Sequence, residues 1–207
     1  MSQRSNRRAV LADAAVEVLA REGGRGLTHR AIDREAGFPE GTTKNYHATR
    51  EALFAAIGRR VADQQTAAMR RLREQLPDGV AQGDVTALYL AMLQRMVTTA
   101  RSQFLALFEL HLEGVRNPQV RSALGEITLA GVDSAVHLHA AVGEPIPARG
   151  AGLLDAGMLG VAMTMLSLPD DVVGRIGFDD PDALGRSLLD MAADAEPAEG
   201  LLRGQAS

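Results

Sequence analysis

The chain has 207 residues, 46% of them apolar, 3% aromatic and none cysteine, which is enough for one sizeable domain or a small domain joined to a larger one. Without cysteine there is no disulfide framework, thiolate zinc site or cysteine nucleophile, and a reducing cytoplasm is compatible. The formal net charge of −4 hides an asymmetry: residues 1–60 hold 11 Arg or Lys against 7 Asp or Glu and the remainder 11 against 19, so an acidic chain has one basic end suited to a polyanion.

Ala, Leu, Arg, Glu and Met dominate and β-branched residues are sparse, so an all-α protein is expected. The first helix places Leu11, Ala15, Val18 and Leu19 on one face and ends at Gly23-Gly24-Arg25-Gly26. Asp13 and Glu17 interrupt its apolar residues, so the basic start is not read as a signal peptide. Thr28 caps a short second helix that carries Ala31, Ile32 and Ala36 inward until Gly37 stops it. Pro39 pre-sets the first turn of a short third helix, Pro39 to His47. Thr49 caps a fourth, from Arg50 to about Gln75, with Leu53, Phe54, Ile57 and Val61 as its apolar face, and Pro77-Asp78-Gly79 breaks it.

Further helical stretches are expected at 84–100, 102–115, 118–141, 149–168 and 181–194, separated by Asn117-Pro118, Gly143 to Pro147 and Pro169-Asp170-Asp171. The end, 196–207, has little apolar content beyond Leu201 and Leu202 and is expected to be disordered. The longest uncharged apolar run, Ala156 to Leu168, is too short to span a bilayer, so no membrane partner is expected.

Two short helices joined by a tight glycine-containing turn, in the basic part of the chain, form a helix-turn-helix candidate. Its second helix carries Thr42, Thr43, Lys44, Asn45 and Tyr46, all hydrogen-bonding, and Lys44 is the only lysine of the chain. Such a run buries almost nothing and should face solvent or a polar ligand.

The segment LTHRAIDREAGFPEGTTKNYHATREALFAAI, Leu27 to Ile57, resembles the DNA-binding domain of the TetR family of transcriptional regulators. The likeness lies in the G-x-x-x-G-T spacing, the late tyrosine and the T-R-E-A-L opening of helix four. It covers about residues 7–61, and the helical remainder agrees in length and order with the family's regulatory domain. The resemblance implies a helix-turn-helix DNA-binding domain at 1–50 joined by a long fourth helix to a ligand-binding and dimerisation domain at 51–195. It implies phosphate contacts for Thr28, Arg30, Tyr46 and Arg50, close backbone approach at Gly41, and a major-groove face made of Thr42, Thr43, Lys44 and Asn45. Asn45 would suit adenine and Lys44 guanine, each worth about 1–3 kcal/mol of discrimination, although Lys44 would equally suit a phosphate. Three residues depart from the family pattern: Pro39 replaces a serine cap, His47 replaces a phenylalanine and is expected as a core-packed ring, and Glu40 either accepts from cytosine or stabilises the helix N-terminus.

The stretch GAGLLDAGMLGVAMTMLSLP is apolar nearly all round, so it is either central in its own domain or covered by a second subunit. With Leu184, Leu188, Leu189 and Met191, and with a family whose last two helices form a four-helix dimer interface, the second reading is favoured. It puts Leu154, Met158, Val161, Met165, Leu184 and Leu188 in a homodimer interface. Two such recognition helices could enter major grooves about 34 Å apart on a palindromic operator. An effector bound among residues 84–168 would act by preferring one spacing over another. Tyr89, Met92, Met96, Phe104, Phe108 and His111 are the candidate pocket residues, and a mainly apolar small molecule would suit them, although such a stripe also suits plain core. His137 and His139, two apart, cannot share a metal ion. No metal, no cofactor and no enzymatic motif is expected. The sequence therefore reads as a cytoplasmic, homodimeric, ligand-responsive regulator, a repressor of a double-stranded DNA operator. The alternative is a helical small-molecule-binding or adaptor protein of the same fold without operator binding, against which the polar set Thr42 to Tyr46 argues.

Overall fold

A computed structural model of the chain describes residues 3–74 and 82–195. The expected break at Pro77 to Gly79 and the expected disordered tail lie outside these residues. Among the described residues there are ten helices and no strand: α1 (Gln3–Gly26), α2 (His29–Glu35), α3 (Thr42–Tyr46), α4 (Arg50–Glu74), α5 (Gln82–Val97), α6 (Arg101–Gly114), α7 (Pro118–Ala141), α8 (Ala148–Ser167), α9 (Asp170–Arg175) and α10 (Pro181–Ala193). The all-α expectation holds, and the long helices fall where periodicity places them. The composition of Pro169-Asp170-Asp171 is that of a turn, so the sequence marks only a break where α9 stands. Here the proline and the two aspartates open a six-residue helix, since both suit a helix's first turn.

The helices form two compact units, Met1–Glu74 with Thr98–Ile127, and Gln75–Val97 with Thr128–Ser207. The sequence-based boundary at residue 50 coincides with the start of α4, whereas the first compact unit runs on through α4 and takes in α6. Within this unit α6 lies against α1 and α4. Its core holds Leu11, Val16, Val18 and Leu19 of α1, Ile32 of α2, and Leu53, Phe54, Ile57 and Val61 of α4, and each such side chain contributes about 1.5–3 kcal/mol when fully buried. Arg60 of α4 adds a two-pronged bond to Asp13 of α1 at 2.6 and 2.7 Å, and Gln64 donates to the same carboxylate at 2.9 Å.

In the second unit glycines set the packing. A Cβ at Gly150 of α8 would lie 2.0 Å from the Ala192 carbonyl oxygen of α10, so the two helices touch backbone to backbone there. Further along, Leu188 of α10 covers Gly157, and Leu90 of α5 covers Gly185. The inner face of α8 is Ala151, Leu154, Met158, Val161 and Ala162, and Leu184, Leu188 and Ala192 of α10 are buried as well. This corrects the expected interface: Leu154, Met158, Val161, Leu184 and Leu188 are core within one chain, and Met165 is half-buried. Periodicity showed that α8 is covered on more than one side without showing which side its own chain covers. Leu153, Ala156, Gly160 and Met163 form the opposite, exposed face. By length and composition α8 would also suit a membrane span, but its packing against α10 and α5 accounts for its apolar inner face.

The two expected non-metal histidines part company. His137 is exposed and bonds the Asp133 carbonyl at 2.6 Å, while His139 is buried and stacks on Tyr89 with centroids 5.8 Å apart. Burial holds the His139 imidazole below its ordinary range, against an opposing pull from Glu144. Between that lowered value and an unfolded value of about 6.5 the unfolded chain binds a proton that the folded chain refuses. The contribution to stability is therefore complete above about pH 6.5 and declines as pH falls through the window. Melting followed by circular dichroism should show a larger drop in Tm between pH 7.5 and pH 5.5 for the wild-type chain than for His139→Phe; equal drops would deny His139 this role.

Candidate nucleic-acid interface

The helix-turn-helix is organised by a side chain that the sequence did not single out. Asp33, the third inward residue of α2, is 1% exposed. Its carboxylate accepts the Gly41 amide at 2.8 Å, the Thr43 amide at 2.7 Å and the Thr43 hydroxyl at 2.5 Å. Gly41 itself has φ +91, a left-handed conformation natural to glycine. These bonds explain why the third helix begins at Thr42 and not at Pro39: the carboxylate gathers the amides around Gly41, and Glu40 and Gly41 form a turn that the Thr42 amide closes on the Pro39 carbonyl at 3.2 Å. One turn before Asp33 on α2, the His29 Nε2–H donates to the His47 carbonyl at 2.6 Å. The recognition helix is thus held from α2 at both ends.

This geometry divides the expected DNA-contacting residues. Lys44 and Asn45 are exposed, and Thr42 and Tyr46 are half-buried. Thr43 is a correction: it is 0% exposed and turned inward onto Asp33, so it fixes the helix and does not read a groove. A five-residue helix cannot present four consecutive side chains to one surface, and Thr43 lies on its inner side. The Thr42 hydroxyl donates to the Pro39 carbonyl at 2.6 Å. Thr28 caps α2, its hydroxyl accepting from the Ala31 amide at 3.1 Å. Arg30 extends into solvent, its side chain 83% exposed, and meets Glu40 at 3.5 Å, a contact that contributes little at a surface. Glu40 is therefore neither a helix cap nor buried. Arg50 donates to the Gly24 carbonyl at 2.6 Å and lies 4.8 Å above the Phe54 ring, while remaining exposed. His47 is half-buried with an Nε2 that has no partner. Burial, then Arg59, Arg8 and His29, hold its imidazole below the ordinary range.

The expected pocket residues are divided between the two compact units. Tyr89 and Met96 are buried and Met92 half-buried in the second unit, whereas Phe104 is buried and Phe108 half-buried in the first. His111 is exposed beside Gly114, Val115, Arg121 and Leu124 in an open hollow, because α6 turns Phe104, Leu107 and Leu110 inward. Among the described residues no cluster of His, Asp or Glu could hold a metal ion.

A three-helix unit with a buried pin under an exposed polar helix is the framework of a helix-turn-helix DNA-binding protein. Residues 81–195 match the family model for the tetracyclin repressor-like C-terminal domain. The chain belongs to the TetR family of transcriptional regulators. No curated protein matches the sequence. Among solved structures, the multidrug binding protein EbrR complexed with ethidium is similar at 23% identity and a TM-score of 0.66, over 90% of this chain and 98% of that one. A transcriptional regulator from Rhodococcus sp. Rha1 is 16% identical with a TM-score of 0.69, covering 91% and 99%. GusR of Salmonella enterica is 19% identical with a TM-score of 0.67, covering 93% and 98%. At these identities the likeness is one of fold.

Replacing Asp33 by Asn turns an acceptor of three bonds into a group with one acceptor and one misplaced donor, leaving buried polar atoms unpaired at about 1–3 kcal/mol. Asp33→Asn should lower the urea midpoint of the first unit and weaken duplex binding. Thr43→Val, which removes one bond only, should do less of both. Wild-type stability and binding in Asp33→Asn would show that the pin is dispensable.

Proposed function

We propose that the chain is a ligand-responsive repressor that binds a palindromic DNA operator as a homodimer and is released by a small, mainly apolar effector. The observation that carries this reading is the exposure of Lys44 and Asn45 on a helix whose inward side is occupied by Thr43 and Asp33. A helix with no polyanion to meet gains nothing from being held this firmly with its polar side outward. Lys44 and Asn45 are the base-reading pair, Thr42 stands beside them on the groove face, and Thr28, Arg30, Tyr46 and Arg50 lie around them as phosphate contacts, with Gly41 admitting close approach. A regulator of this kind works where the chromosome is, in the cytoplasm.

Family membership supports an effector, as does a protein of the same fold complexed with ethidium. On this chain Tyr89, which stacks on His139, and Met92 and Met96 of the same helix are the side chains that would meet an apolar body. His111 faces solvent and is not among them. For the dimer, the exposed stripe Leu153, Ala156, Gly160 and Met163 replaces the residues expected from sequence. Gly160 has open space where a Cβ would stand, and Met163 is 51% exposed. Small residues flanked by larger apolar ones let a second copy of α8 approach closely.

Purified protein should shift duplexes from its own upstream region, with affinity falling steeply as salt rises because bound phosphates release counterions. Lys44→Ala should weaken the preferred duplex by about 5- to 150-fold, the equivalent of about 1–3 kcal/mol, without altering the dimer. Failure to retain any duplex from a random pool would sink the operator reading and favour the adaptor alternative. Sedimentation at micromolar concentration should return a dimer mass for wild type and a monomer mass for Gly160→Glu; a dimeric Gly160→Glu would move the interface elsewhere.

A further inference from the structure

Helix N-termini usually receive phosphate, because their unpaired amides and dipole favour an anion. In α3 that end is occupied. The Gly41 and Thr43 amides already point at the Asp33 carboxylate, and the Thr42 amide goes to the Pro39 carbonyl at 3.2 Å. Glu40 adds a second negative charge in the turn just before it. An arriving phosphodiester would find the donors taken and two carboxylates nearby.

The other end of α3 has the opposite character. Arg8 of α1 lies 5.9 Å from the centroid of the Tyr46 ring. Arg8 and, from α4, Arg59 both act electrostatically on the neighbouring His47 imidazole, together with His29 of α2, and no carboxylate acts on it. Arg8 and Arg59 are exposed, and neither has an ion-pair partner among the described residues. Cationic groups from separate helices gathered without a counter-charge repel one another in the free protein, and an anion placed among them removes that cost.

We propose that Arg8, Tyr46 and Arg59 form a cradle at the C-terminal end of the recognition helix that holds a backbone phosphate of bound DNA. The Tyr46 hydroxyl donates to a phosphate oxygen and the two guanidinium groups supply charge and further donors. This site rests on the operator-binding reading and adds a division of labour to it. Lys44 and Asn45 would read bases, while the cradle behind Tyr46 would set how the helix lies along the groove, whatever the sequence. The N-terminal end of α3 would carry no phosphate.

The test is duplex binding by the full-length dimer as a function of salt, with a selected operator and with random duplex. Arg8→Ala and Arg59→Ala should each weaken both duplexes by a similar factor and reduce the slope of log K against log salt by about one. Arg8→Lys should restore most of the slope. Both residues are exposed, so unchanged melting curves should accompany the loss. Wild-type slopes in both alanine variants, with wild type itself binding, would overturn the cradle and leave the operator reading standing. A loss confined to the selected operator would also overturn it, because it would make these residues readers of sequence. A wild-type chain that binds no duplex would overturn the operator reading and the cradle together.

Discussion

The recognition surface depends on one buried carboxylate. Asp33 sits under the turn and satisfies two backbone amides and a hydroxyl, so a charge that would be costly in an apolar interior is compensated by three short bonds. The same bonds choose the first residue of α3, fix the left-handed turn at Gly41 and rotate Thr43 inward. Lys44 and Asn45 face outward as a consequence. His29 closes the far end through the His47 carbonyl, so a helix of only five residues, too short to be stable by itself, is held rigid enough to read a groove.

The rest of the first unit holds this pair of helices against α1 and α4. The Gly24 peptide is a junction: its N–H donates to Glu109 of α6 at 3.0 Å and its carbonyl accepts from Arg50 of α4 at 2.6 Å. The positive φ of Gly23, +66, bends the end of α1 toward these partners. Ten residues along α4 from Arg50, Arg60 grips Asp13 of α1. With fastening at two levels and a continuous apolar core between them, α1 and α4 should move together, and a shift of α4 would carry the recognition helix with it.

Charge follows the same logic. The basic excess of the first 60 residues suggested a polyanion, but most of the arginines whose partners are visible serve the fold. Arg60 joins α4 to α1 and Arg21 bridges Glu22 and Glu35, while Arg50 bonds the Gly24 carbonyl and still stays exposed toward a polyanion. What remains for a polyanion is a smaller set, among them Arg8, Lys44 and Arg59, whose side chains have no carboxylate partner among the described residues. Net charge indicated the class of partner, and only positions in space could separate the structural arginines from those left over.

By itself the sequence determined the long helices, since periods of apolar residues and caps such as Thr28 and Thr49 are local signals that act within a few residues. It also determined the family, through the spacing from Gly37 to Tyr46 and the opening of α4. Tertiary structure decided the rest. Asp33 reaches partners eight and ten residues away, a separation with no helical period, so neither its burial nor the inward turn of Thr43 could be read from pattern. The two sides of α8 were equally ambiguous: both are apolar, and only the close approach of Gly150 to Ala192 shows that Leu154 and Met158 belong to the chain's own core while Leu153 and Met163 face outward. Periodicity identifies a face but not its neighbour, because which neighbour covers it depends on contacts between residues far apart in the chain.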